Sequence, residues 1–325
     1  MTTLDTKLAK IRSGKYKSTD FIIADAKDGD MGGGVTAPGP ARDRDGLKTK
    51  KEYLAAMTEM TKSGLVDIML TSASTAEALT KQKLYLKSKV TPAIRLNDTT
   101  DIWGLRGGSY KEHPSQPFRT ARVSEARKFA DLGLYSVTFS NQIDADLRTL
   151  HAYADFRAEA KAAKMRHFLE VFNPHFDIGL RGSADLGSYV NDCIIRTLAG
   201  VTSSEYPLFL KMQYNGAKAM EELASYDPGT LIVGILGGAR GTTRDTFELA
   251  SQSEKYGGRV ALFGRKINFA ESPVKLVELM RAVVENDLTS TEAVKAYHDH
   301  MAKNRLTPDR PLATDVEITD PVLKG

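Results

Sequence analysis

Lys211 ends a short apolar run, Tyr206-Pro-Leu-Phe-Leu-Lys211-Met-Gln-Tyr-Asn-Gly216, that otherwise reads as a buried strand. Taking an ammonium out of water costs on the order of several kcal/mol, so a lysine there needs a partner or a chemical role. One role is nucleophilic: burial favours the neutral amine, which attacks a ketone or aldehyde to form a Schiff base. The alternative is a strand-end lysine whose head reaches solvent or pairs with a carboxylate. A carboxylate sits in a second apolar run, Met165-Arg-His-Phe-Leu-Glu170-Val-Phe-Asn-Pro174. Strand alternation places Phe168, Glu170 and Phe172 on one face, and Pro207, Phe209 and Lys211 on one face of the later run. If the two strands are adjacent and parallel, nucleophile and carboxylate point into the same space.

Two more apolar runs end in glycine followed by basic residues. They are Leu231-Ile-Val-Gly-Ile-Leu-Gly237-Gly238-Ala-Arg240-Gly241 and Val260-Ala-Leu-Phe-Gly264-Arg265-Lys266. Glycine lets a backbone come close to a phosphate and surround it with N–H donors.

Positioning these groups requires regular elements, and the chain supplies them in alternation. Eight segments read as strands: 21–25, 65–71, 91–96, 134–140, 165–172, 206–212, 231–236 and 260–264. Most are separated by stretches of helical spacing, such as Lys50-Lys-Glu-Tyr-Leu-Ala-Ala-Met-Thr-Glu-Met. Strand and helix in strict alternation imply parallel strands with right-handed crossovers, and eight such units predict an α/β (β/α)₈ TIM barrel. The expected organisation is one domain over residues 1–325, with a leading helix and a C-terminal helix and tail. A doubly wound sheet would carry its glycine-rich phosphate turn after the first strand and before a helix. Here Asp25-Ala-Lys27-Asp28-Gly29-Asp30-Met-Gly32-Gly33-Gly34 opens a long loop instead, readable as an active-site rim or as a plain exposed turn.

In a barrel the residues at strand C-termini converge on one mouth. By that count the mouth receives Asp25, Lys27 and Asp28, then Ser72 and Ser74, Arg95 and Asn97, Thr138 and Ser140, and finally Glu170, Lys211, Arg240 and Arg265. So many polar groups at equivalent positions point to an enzyme.

Composition narrows the classes. The 325 residues are 41% hydrophobic, enough for a full core. No run of 18 apolar residues occurs and Met1-Thr-Thr-Leu-Asp lacks a signal-peptide pattern, so the expectation is a cytoplasmic protein that binds no membrane. Cys193 is the single cysteine, which leaves no intramolecular disulfide and no thiolate metal site. The formal charge of +4 is small and interspersed, which suits a small anionic ligand better than nucleic acid.

The order and spacing of these motifs, from Ile23-Ala24-Asp25 to Phe263-Gly264-Arg265, resemble the class I, Schiff-base aldolases of sugar phosphates. The likeness is especially to the tagatose-bisphosphate aldolase group and the related sulfosugar-phosphate and archaeal-type fructose-bisphosphate aldolases. His167-Phe-Leu-Glu170 is similar to that group's fifth strand, Leu210-Lys211 to its Schiff-base strand, and Gly264-Arg265 to the pair ending its eighth. The resemblance implies a lyase of carbohydrate metabolism with no cofactor and no metal, expected as a homo-oligomer. Tagatose-bisphosphate-type enzymes carry a second lysine on the fourth strand, where Tyr135-Ser-Val-Thr138-Phe-Ser140-Asn141 offers hydroxyls and an amide. Lys27 is the candidate substitute.

The expected roles follow. Lys211 forms the imine; Glu170 moves the proton of the scissile hydroxyl; Asp25 either assists or only pairs with Lys211. Gly237, Gly238, Gly264 and Arg265 hold phosphate, with Lys27 and Ser140 as further contacts. Arg95 is either an anion clamp for the far end of the substrate or is neutralised by Asp98 or Asp101. Two other readings stay open, a sugar-phosphate isomerase or epimerase and a non-catalytic sugar-phosphate sensor. His298 and His300 sit two apart in a helical pattern and face different ways, which reads as a surface helix rather than a metal pair. Trp103 reads as packed beneath a loop or as lining the substrate pocket, and His175 as an ordinary loop histidine or one that reaches the mouth.

Overall fold

The computed structural model describes residues 2–183 and 185–324. Its centre is a closed barrel of eight parallel strands: β1 (Ile22–Lys27), β2 (Ile68–Thr71), β3 (Thr91–Arg95), β4 (Leu132–Thr138), β5 (Arg166–Phe172), β6 (Leu210–Met212), β7 (Gly234–Leu236) and β8 (Val260–Phe263). Each pairs with its sequence neighbours and β8 closes against β1, with Ile22 opposite Val260. Both faces of every strand are covered, so the runs are nearly continuously apolar.

Alternation sorts the side chains into two cores. Ile22, Ala24 and Ala26, Ile68 and Leu70, Ala93, Leu132 and Leu134, Phe168, Phe209, Ile232, Val260 and Leu262 fill the barrel interior. Ile23, Met69, Ile94, Tyr135, Leu169, Leu210, Ile235 and Phe263 pack outward against the helices. The leading helix, Thr3–Arg12, begins at Thr2, whose hydroxyl caps Asp5 N, and plugs the barrel floor with Leu4, Leu8 and Ile11. Lys7 secures it by donating to Phe21 O at 2.8 Å and to Asp67 Oδ2 at 3.0 Å.

Most strands differ in length from the sequence expectation. β4 starts at Leu132 rather than at 134 because Gly133 continues the ladder, opposite His167. A Cβ at Gly133 would lie 2.3 Å from Leu96 Cδ1, so glycine is needed there for contact, not for a turn. β6 and β7 are only three residues each, shorter than 206–212 and 231–236. The long connection after β3 carries a two-stranded ladder, Asp98–Thr99 against Pro117–Phe118, absent from the sequence expectation.

Helix Ser290–Lys303 contains both histidines, but the surface reading fails for His298. That ring is buried and Nε2 lies 2.9 Å from Asp315 Oδ2, whereas His300 Nε2 meets Ser272 Oγ at 3.2 Å. The two therefore have separate partners.

At Gly234 the wall is tight against backbone: a Cβ would stand 2.5 Å from Leu210 O and 2.8 Å from Val260 Cβ. Gly234→Ala should destabilise the protein by about 1–3 kcal/mol, read as a lower urea midpoint with an unchanged m-value.

Candidate active site

Above the apolar filling of the barrel, the same alternation turns polar. Arg95 follows Ala93, Ser136 follows Leu134, Glu170 follows Phe168, and Lys211 follows Phe209, each two residues on and on the interior face. Asp28 follows Ala26 in the same way. Ser136, Glu170 and Lys211 share one level, because Ser136 pairs with Glu170 across β4 and β5, and Glu170 pairs with Lys211 across β5 and β6. The sequence condition of adjacent, parallel strands is thus met.

These side chains form one chain of charges. Lys211 Nζ lies 2.5 Å from Glu170 Oε1. Glu170 Oε2 accepts from Arg95 Nη2 at 2.7 Å and from Ser136 Oγ at 2.7 Å. Arg95 also donates through Nη1 to Ser136 Oγ at 2.7 Å and through Nε to Asp28 Oδ2 at 2.5 Å. Asn97 clamps the backbone of Ser136, accepting from its N–H at 2.5 Å and donating to its carbonyl at 2.8 Å. Exposure of the Lys211 side chain is 6% and of Glu170 1%, so these are buried charges that survive only as a set.

The field of the set is visible in its proton affinities. Burial alone would push the Asp28 carboxyl up, but the charges of Arg95 and Lys211 hold it below its usual range. Burial opposes the Arg95 guanidinium as well, yet Glu170, Asp28 and Asp98 around it raise its proton affinity well above normal.

Other expected residues lie elsewhere. Asp25 and Lys27 are a correction: they share the outward face of β1 with Ile23, between barrel and helices, and do not reach the mouth. Lys27 Nζ stands 3.2 Å from Asp25 Oδ1 and donates to Asn268 Oδ1 at 3.1 Å, while neither Asp25 oxygen has a well-directed hydrogen bond. Burial pushes the Asp25 carboxyl up and the Lys27 amine down, with each partly restored by the other. Arg95 is no free anion clamp, since Asp28 and Glu170 neutralise it, with Asp98 Oδ1 at 3.6 Å. Ser140 is spent on loop structure: its Oγ accepts from Ser115 N at 2.9 Å and its N–H donates to Asp146 Oδ1 at 2.7 Å. Ser136 was not singled out by the sequence reading; the only signal was its place two residues after Leu134.

At the ends of β7 and β8 the backbone N–H groups of Gly237, Gly238 and Gly264 donate to no turn, loop or cap carbonyl among the described residues. The Arg265 guanidinium is exposed and makes no ion pair among them either. Arg240, by contrast, is held by Glu271 at 3.0 Å and by Asp309. A Cβ at Gly264 would lie 2.8 Å from Ala26 O, so this turn closes directly on β1.

Two loops roof the β1–β3 side. Trp103 donates from Nε1 to Met31 O at 3.0 Å and Gly104 donates from its N–H to Gly32 O at 2.8 Å. Trp103 packs on Phe118, with ring centroids 4.5 Å apart, and with it lines a cavity of 490 Å³ that also touches Asp30, Ser72 and Ser74. The glycine-rich segment after β1 is therefore part of the rim. A larger groove of 1140 Å³ lies at the opposite end of the barrel, by Ile11, Tyr16 and Arg259, remote from these groups. His175 is exposed in the loop after β5. No helix among the described residues is long and apolar enough to cross a membrane.

No protein-family model matches the sequence, and no curated protein matches it. Solved structures do. An archaeal fructose 1,6-bisphosphate aldolase aligns at 14% identity over 87% of this chain and 99% of its own, with a TM-score of 0.63. A second archaeal fructose-1,6-bisphosphate aldolase, with its catalytic lysine bound covalently to the carbinolamine intermediate of the substrate, gives 14% identity, 87% and 99% coverage and a TM-score of 0.62. A protein of Corynebacterium glutamicum aligns at 20% identity over 87% of this chain and 94% of its own, with a TM-score of 0.53. The chain therefore has the (β/α)₈ barrel fold of the archaeal fructose-bisphosphate aldolases.

Arg95 is the cation that lets two carboxylates be buried together, so Arg95→Met should cost about 3–5 kcal/mol at neutral pH. The sign with pH is fixed by Asp28, whose lowered affinity contributes stability above its unfolded value and loses it as pH falls through the folded one. Urea titrations of the two proteins should therefore differ most at neutral pH and converge in acid.

Proposed function

We propose that the protein is a class I aldolase that cleaves or forms a carbon–carbon bond in a phosphorylated ketose through a Schiff base on Lys211. The observation that carries this reading is the 2.5 Å contact between Lys211 Nζ and Glu170 Oε1 on one interior level of the barrel. An amine attacks a carbonyl only after losing its proton, and Glu170 is the acceptor within reach. The fold it shares with archaeal fructose-bisphosphate aldolases supports the same reading.

In the cleavage direction Lys211 Nζ adds to the substrate carbonyl, water leaves, and the resulting iminium is the electron sink. The scissile bond breaks toward it, the hydroxyl on the departing fragment gives its proton to the Glu170 carboxylate and becomes a carbonyl, and the enamine left on Lys211 is protonated and hydrolysed. Glu170 serves the proton transfers at Lys211, and Ser136 and Arg95 hold it in place. In this reading the N–H groups of Gly237, Gly238 and Gly264 and the guanidinium of Arg265, which makes no ion pair among the described residues, take the phosphate at the N-terminal edge of the following segments. Asp25 and Lys27 act behind the wall, joining β1 to Asn268 and so to the turn at Gly264.

A panel of phosphorylated ketoses assayed for release of a carbonyl fragment should give turnover with the wild-type protein. Lys211→Met keeps a flexible side chain of similar length and should lower that turnover by about three orders of magnitude or more while the fold persists. An equal rate in both proteins would assign the chemistry to another group and favour an isomerase using Glu170. Arg265→Ala should raise KM for the phosphorylated substrate roughly tenfold to a hundredfold and leave an unphosphorylated analogue unaffected. Equal losses for both would move the phosphate elsewhere.

A further inference from the structure

The polar layer of the barrel gathers five ionisable groups that do not balance. Lys211 and Arg95 bring two positive charges, while Asp28, Glu170 and Asp98 bring three negative ones. An uncompensated buried charge is costly, and such a group neutralises by taking up a proton. Geometry shows which carboxylate is held most weakly. Asp28 receives Arg95 Nε at 2.5 Å, and Glu170 receives Lys211 at 2.5 Å with Arg95 and Ser136 at 2.7 Å. Asp98 reaches Arg95 only at 3.6 Å, beyond hydrogen-bonding distance. Its Oδ1 accepts from Thr99 N at 2.9 Å, and its Oδ2 has no partner among the described residues although the side chain is 1% exposed. That oxygen faces the rim loop, 3.6 Å from where a Cβ on Gly32 would stand. Burial pushes the Asp98 carboxyl up to about 6 against the pull of Arg95, and Glu170 and Asp28 push the same way.

We propose that Asp98 is a positioning residue that carries the site's surplus proton and so governs when Lys211 gives up its own. The proposal rests on the reading of Lys211 as a nucleophile, and its test does not use turnover. With Asp98 neutral, two cations face two anions, and a proton leaving the site from Lys211 leaves one negative charge in excess. With Asp98 ionised the same loss leaves two, and like charges in one buried chamber oppose it. The groups facing Asp98 are Arg95 from β3, Asp28 from the end of β1 and Glu170 from β5, with Lys211 beyond Glu170 on β6. Asp101, the nearest acid in the same connection, accepts at Oδ1 from Thr99, Ser115 and Thr138, while its Oδ2, like that of Asp98, has no partner among the described residues. None of these supplies a third cation. Each step is a single proton transfer: Lys211 loses one to Glu170 Oε1 and thence to solvent or substrate, and Asp98 binds or releases one, with no other bond changed.

Asp98→Asn fixes the neutral form. Full-length wild-type and variant proteins would be labelled with trace acetic anhydride, a neutral reagent that acylates only unprotonated amines, and the Lys211 peptide quantified by mass spectrometry. From about pH 5 to about pH 10, the midpoint for labelling Lys211 should fall by about one pH unit in the variant, while exposed lysines such as Lys51 do not move. An unchanged midpoint in a variant that melts like the wild type overturns the proposal. If Asp98→Asn does not fold, the wild type decides: ¹³C-carboxyl NMR of aspartate, with Asp98 assigned by loss of its signal in Asp98→Glu, should show a midpoint of about 6. A midpoint for Asp98 at or below the ordinary aspartate value, about 4, overturns it. A labelling shift in a protein that turns over no ketose phosphate sinks the aldolase reading and leaves this one standing; turnover without the shift does the reverse.

Discussion

The arrangement depends on one guanidinium. Arg95 reaches Asp28 after β1, Ser136 on β4 and Glu170 on β5, and through Glu170 it touches Lys211 on β6. A planar fork of donors is what such a span requires, since an ammonium on the same strand could not serve two carboxylates and a hydroxyl in fixed directions. Without it the interior would hold carboxylates facing one lysine, with no compensation for their desolvation. Arg95 can occupy that position because the wall below is narrow: Ala93 beneath it leaves space, and Phe168 stacks on Phe209 with centroids 4.6 Å apart to form an apolar floor under Glu170 and Lys211. The barrel thus sets a low-dielectric base and a polar lid layer two residues above it.

What could be read from sequence divides along one physical line. The (β/α)₈ fold was legible because helices and strands alternate with glycine-rich breaks, and the Glu170–Lys211 meeting was legible because both residues keep the parity of a bulky interior phenylalanine two positions earlier. Asp25 and Lys27 were misplaced because a parallel strand is buried on both faces. Ile22, Ile23, Ala24 and Ala26 are all apolar and all buried, so composition does not say which parity faces the axis. The alternation that places Asp28 inside places Asp25 and Lys27 outside, and only the packing of Ile23 with the helices fixes the choice.

The same limit explains Ser136 and Arg95. A serine inside an apolar run gives no charge signal, and its importance comes from Arg95 and Glu170, which are 41 and 34 residues away in sequence. Arg95 reads as an anion clamp or as neutralised by Asp98 or Asp101; Asp98 does face it at 3.6 Å, but the carboxylates that hydrogen-bond it are Asp28, just after β1, and Glu170 on β5. Contacts between strands far apart in sequence are set by barrel closure, which the local pattern does not encode. The rim loop shows the converse. Its glycines looked compatible with a plain turn, yet Gly32 and Met31 provide the carbonyls that Gly104 and Trp103 use to join the two roofing segments.

If Lys211 is the electrophile-trapping amine of this layer, incubation with a ketose phosphate and borohydride decides it most directly. The account predicts irreversible inactivation and the reduced substrate fragment on a single tryptic peptide, the one containing Lys211. Trapping on another lysine, or none with a substrate that is turned over, would contradict it.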